Sequence, residues 1–141
     1  MFKRILVAYD GSKSGKAALE CAIAMAKASN APITALWIRE PLPRYTDLPG
    51  EAEEAAEAAD EYFEARCREV AASAAQHEID VACKTLLGHP AKAMVQFANE
   101  GNYDLIVIGH SDHSGLWGRL LGDTADRISD HAHCSVLIVK Q

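Results

Sequence analysis

The sequence predicts one α/β domain spanning 1–141, a doubly wound five-stranded parallel sheet in the order 3-2-1-4-5. Three observations lead there. Short apolar runs rich in Ile, Leu and Val alternate with alanine-rich segments of helical period along the whole chain of 141 residues. These runs are apolar throughout, as expected of strands covered by helices on both faces. The first and fourth runs both open into glycine-bearing loops, Asp10-Gly11-Ser12 and the segment from Gly109 onward. Right-handed crossovers restrict such chains to doubly wound orders, and ligands then bind outside the carboxyl ends of the strands where the winding reverses. That switch point is placed between strands one and four.

The first strand is read at 4–9 (RILVAY), closed by Asp10-Gly11-Ser12. Over 14–29, Ala17, Ala18, Cys21, Ile23, Ala24, Met25 and Ala28 supply helical neighbours, and Asn30-Ala31-Pro32 stops the helix. Strand two is 33–38 (ITALWI). Pro41, Pro43, Pro49 and Gly50 then mark a loop of about ten residues. The Ala- and Glu-rich stretch 51–77 reads as a long helix, its acids at 51–64 forming a solvated face or a partner-docking surface. Val81–Leu87 is the third strand, Pro90–Glu100 the third helix and 104–108 the fourth strand. A fourth helix at 122–131 and a fifth strand at 135–140 (SVLIVK) complete the pattern.

Composition narrows the function. With 14 basic against 20 acidic residues and a formal charge of −6, the chain lacks the basic face that nucleic acid or an anionic membrane requires. Lys3 and Arg4 precede an apolar run too short for an export signal, and no run is long enough to span a membrane. The four cysteines, Cys21, Cys67, Cys83 and Cys134, show no CxxC spacing and are expected to be buried reduced thiols. A cytoplasmic location is expected.

Residues 108–124 (IGHSDHSGLWGRLLGDT) carry the most chemistry. A glycine-punctuated loop leaving a buried strand lets backbone N–H groups face an anion. The helix that follows adds unpaired N–H groups and the positive end of its dipole. This is the design of a phosphate cradle, yet acidic residues stand within it. Near about 4 Å, two unit charges repel by roughly 1 kcal/mol in water and about 4 kcal/mol at an effective dielectric of about 20. Relief could come from Mg²⁺ bridging carboxylate and phosphate, or from Arg119 or Lys13. Asp123 also suits a plain helix-capping role.

The blocks ILVAYDGS, ALWIRE, LGHPAKAMVQFANEGNYDLIVIG and CSVLIVK, in this order, resemble the universal stress protein family over essentially the whole chain. The resemblance implies the adenine nucleotide alpha hydrolase-like fold, a homodimer and, in many members, ATP held by the pattern G-x2-G-x9-G-[S/T]. Here Gly109 and Gly122 fill the first and third positions, while Asp112 and Asp123 replace the second glycine and the hydroxyl. The resemblance implies Asp10 near a ribose or metal, and the Ile38 backbone on the adenine edge. It places Ile108 and Gly109 along the ribose and phosphate side, and Gly122, Asp123, Thr124 and Ala125 at the phosphates. With its phosphate side half matched, the site is expected to hold adenosine or AMP in preference to ATP.

Other constellations carry less. His110, Asp112 and His113, or His131, His133 and Cys134, contain metal-ligand types without paired-motif spacing, so no metal is assigned. Ser12, Ser111 and Ser114 lack a base-and-orienter series, so no catalytic residue is assigned, while the resemblance leaves slow ATP hydrolysis open. Trp117 is either a plug over the site or a partner anchor. The apolar last strand, Val136-Leu137-Ile138-Val139, would be a sheet edge, and pairing with a second copy would cover it. Three functional readings follow: a regulatory protein binding an adenine nucleotide (AMP or ATP, with or without Mg²⁺) at the switch point, a dimeric interaction module from which the two aspartates exclude ATP, or a hydrolase or transferase, for which only the fold speaks.

Overall fold

In the computed structural model, residues 1–41, 48–110 and 123–140 are described. The elements run β1 (Ile5–Ala8), α1 (Lys13–Ser29), β2 (Ile33–Arg39), α2 (Glu51–Gln76), β3 (Val81–Leu87), α3 (Pro90–Glu100), β4 (Leu105–Gly109), α4 (Asp123–His131) and β5 (Ser135–Val139). All strand pairs are parallel and the sheet order is β3-β2-β1-β4-β5, as the alternating pattern predicts. β1 is central: Ile5 pairs with Ile33 on one side and Leu105 on the other.

Alternate residues of the central strands feed two cores. Ile5, Val7, Ile33 and Val107 pack with Leu19 and Ile23 of α1 and Val70 of α2. Leu6, Leu36 and Ile106 pack on the other face with Met94 of α3 and Ile128 of α4. Each fully buried aliphatic side chain stabilises the fold by about 1.5–3 kcal/mol. The buried Tyr103 hydroxyl donates to Thr34 Oγ1 at 2.9 Å, so neither is left unpaired in the second core.

Element ends move by a residue or two from the sequence reading, each for a local reason. β1 starts at Ile5 because the Arg4 N–H donates to the Asp104 carboxylate, at 2.9 Å. α1 starts at Lys13 because Ser12 caps it, its hydroxyl accepting from the Gly15 N–H at 3.0 Å. β2 reaches Arg39 because the Arg39 carbonyl accepts from the Gly88 N–H, at 2.9 Å. The cysteines are free but half-buried: Cys21 and Cys67 on helices, Cys83 on the edge strand β3 and Cys134 in the turn before β5. α2 buries only Val70 and Ala74, since β3 beneath it is a half-exposed edge strand.

Candidate functional site

The carboxyl ends of β1, β2 and β4 surround a cleft of about 310 Å³, at the predicted switch point. Its apolar lining comes from Leu36, Ile38, Met94, Ile108, Ala125 and Ile128. Asp10, Ser12, Ser14, Glu40 and Thr124 give it a polar rim. An adenosine-sized guest, with an apolar base face and a hydroxyl-bearing sugar, matches that division.

Turn chemistry builds the rim. Beyond β1, Asp10 Oδ1 accepts from the Ser12 N–H at 2.9 Å, an Asx turn that aims the chain into α1. Gly11 has φ +86°, which favours glycine. The Ser12 hydroxyl caps α1 and lies 3.2 Å from Ser14 Oγ. A Cβ on Gly15 would stand 2.8 Å from Asp10 Oδ1, so the helix can pass close under the carboxylate only as glycine.

At the β2 end of the cleft the ladder explains why the Ile38 amide is available. A residue's N–H and C=O point to the same side of a strand, and alternate residues point to opposite sides. The Leu36 carbonyl accepts from Tyr9 N–H, so even-numbered positions of β2 face β1. The Trp37 and Arg39 carbonyls accept from Thr85 and Gly88, on the β3 side. β1 ends opposite Leu36, so the Ile38 amide faces the space that β1 has left. A donor and an acceptor there fit the hydrogen-bonding edge of a purine.

The structure brings Asp10, Ile38, Ile108, Gly109, Thr124 and Ala125 to this one cleft. Ile108 and Ala125 are buried in its floor, and Asp10 is exposed at its mouth. Asp123 opens α4, but its side chain, like Asp112, Trp117, Arg119 and Gly122, lies outside the described residues. Among the described lining residues there are two carboxylates, Asp10 and Glu40, and no Lys, Arg or His.

α2 contributes support that the sequence pattern does not reveal. The Tyr62 hydroxyl donates to the Asp10 carbonyl. The Arg66 guanidinium lies 4.2 Å over the Tyr62 ring, and a Cβ on Gly11 would stand 2.8 Å from its Cδ. Arg66 Nε is 2.9 Å from Glu69 Oε1 as an ion pair, without hydrogen-bond alignment. The same Glu69 oxygen accepts from the Tyr9 hydroxyl at 2.6 Å. Burial first, then Glu69, pushes the Tyr9 phenol far above its ordinary range, so it remains a donor. Glu40 and Ser14 also went unassigned in the sequence, since nothing in their spacing marks them.

Known proteins share this architecture. The model of the universal stress protein family matches residues 1–140. Universal stress protein MJ0531 of Methanocaldococcus jannaschii is 33% identical over 100% of this chain and 84% of its own length. A universal stress protein of Thermus aquaticus is 32% identical over 99% of this chain and 100% of its own. A solved universal stress protein in complex with cAMP is 28% identical with a TM-score of 0.77, covering 98% of this chain and 97% of that one. By matched family, coverage and sheet order, the chain belongs to the universal stress protein family.

Proposed function

We propose that the cleft takes an adenine nucleotide of low phosphate charge, AMP or a cyclic monophosphate, in preference to ATP, and that binding serves regulation. The carrying observation is the composition of the cleft: an apolar floor, the Ile38 amide at one end, and a hydroxyl- and carboxylate-bearing rim without a cationic side chain among its described residues. A triphosphate meeting Asp10, Glu40, Asp112 and Asp123 would need a counter-charge. Mg²⁺ would supply one, and Asp10 and Glu40 are the described carboxylates that line the cleft. The solved relative bound to cAMP supports a singly charged guest. Ser12 and Ser14 are engaged with each other and with the start of α1, which supports a binding rather than a catalytic role for this rim.

Calorimetric titration with AMP, cAMP and ATP tests the reading. Saturable one-to-one binding of a monophosphate is expected. Absence of saturable heat with all three would reject nucleotide binding and leave the dimeric interaction module.

Dimerisation through β5 belongs to the same proposal. β5 is an edge strand, and Val136, Leu137, Ile138 and Val139 are all only half-buried in the single chain. Antiparallel pairing with a second copy across a two-fold axis would bury them and satisfy the edge. Light scattering at micromolar concentration should give twice the chain mass; a monomer mass would contradict it. Among the described residues no helix is long and apolar enough to cross a membrane.

A further inference from the structure

The two residues that follow Ile38 at the end of β2 are engaged differently. The Arg39 guanidinium is held by α2: it pairs with Asp60 at 2.9 Å and lies 5.7 Å from the Trp37 ring centroid. Glu40 lines the cleft with Ile38 and stands in no ion pair among the described residues. Pro41 follows it and has no N–H, so the chain leaving β2 adds no donor there. Asp10, the other described carboxylate of the cleft, is committed through Oδ1 to the Ser12 N–H at 2.9 Å. Glu40 is thus the acceptor that the fold itself leaves unused at the β2 end.

We propose that Glu40 selects the base of the nucleotide, accepting from the amino group of adenine and rejecting the carbonyl that hypoxanthine or guanine carries at the same ring carbon. This rests on the nucleotide reading above. The Ile38 amide alone cannot choose. It offers one donor and one acceptor, and adenine and hypoxanthine each present one of both kinds on that edge, in opposite order, so a small slide of the base satisfies either. A carboxylate accepts and does not donate. An amino group facing it gains a charge-assisted hydrogen bond, whereas a carbonyl oxygen sets partial negative charge against negative with no proton between them. Glu40 is exposed, so water softens the contrast to about ten- to a hundredfold, short of what a buried polar site achieves.

Calorimetric titration of the full chain with AMP and with inosine monophosphate tests this, since the second guest replaces the amino group by a carbonyl and keeps the ribose and phosphate. The parent should bind AMP at least about tenfold more tightly. In Glu40→Gln, whose side-chain amide can turn its N–H toward a carbonyl, the ratio should fall to about threefold or less, through stronger binding of the inosine nucleotide. Both guests carry the same phosphate and sugar. A carboxylate that merely repels the phosphate, or that serves the ribose, would therefore change both affinities alike and leave the ratio where it was. Equal affinities in the parent, or a ratio that survives Glu40→Gln, would overturn base selection and leave nucleotide binding standing. The parent ratio decides even if the variant folds poorly. Saturable heat with neither guest in the parent would overturn both.

Discussion

Gly109 and Ser14 touch backbone to backbone: a Cβ on Gly109 would lie 2.2 Å from the Ser14 carbonyl oxygen. The last residue of β4 is therefore glycine because α1 crosses it there. Gly109→Ala should destabilise the fold by about 1–3 kcal/mol, since backbone cannot yield as a flexible side chain does. Urea unfolding followed by circular dichroism should show a lower midpoint at unchanged slope. An unchanged midpoint would show that the two segments separate easily.

Tyr62 acts on the cleft from α2, through its hydrogen bond to the Asp10 carbonyl. Tyr62→Phe should cost about 1 kcal/mol at most in stability, because the ring and its Arg66 contact remain. Monophosphate affinity should weaken by roughly three- to tenfold if the Asp10 turn must be held in place. Calorimetry on folded variant protein reads this directly, and equal affinities would separate Tyr62 from the site.

Asp104 ties the start of β1 to the start of β4 by accepting from the Lys3 and Arg4 N–H groups at 2.8 and 2.9 Å. Partial burial works to raise its pKa, but the Arg4 and Lys3 N–H groups outweigh it and hold the carboxyl below its ordinary value. A depressed folded-state pKa gives stability that is fully present above the unfolded value, about 3.9, and lost as pH falls through the folded value. Asp104→Asn should thus be less stable than the parent by about 1 kcal/mol at pH 7. That gap should close as the pH drops below about 4, and urea midpoints across pH would show it. A gap constant with pH would mean that the carboxylate charge plays no part.

Strand order and switch point were legible because they follow from period and topology: β1 and β4 are apolar on both faces and end in glycine loops. Ile108 and Ala125 stand on the strand and the helix that the pattern predicts, and both line the cleft. The buttress of Tyr62, Arg66 and Glu69 was not legible. Those residues lie on a helix whose composition signals only a solvated acidic face, and their partners Tyr9, Asp10 and Gly11 are more than fifty positions away in the chain. The close approach of Ser14 to Gly109 was also hidden, since it depends on where α1 crosses the end of β4.

The central claim is that carboxylates, not shape, set the preference for a weakly charged guest. The most direct measurement is the ratio of AMP to ATP affinity without Mg²⁺, in the parent chain and in Asp112→Gly/Asp123→Ser. The parent should favour AMP by at least about tenfold, and the double substitution should erase most of that preference by strengthening ATP binding, because relief of about 1.4 kcal/mol of repulsion is a tenfold change. Equal affinities in the parent, or a ratio untouched by the double substitution, would contradict the account.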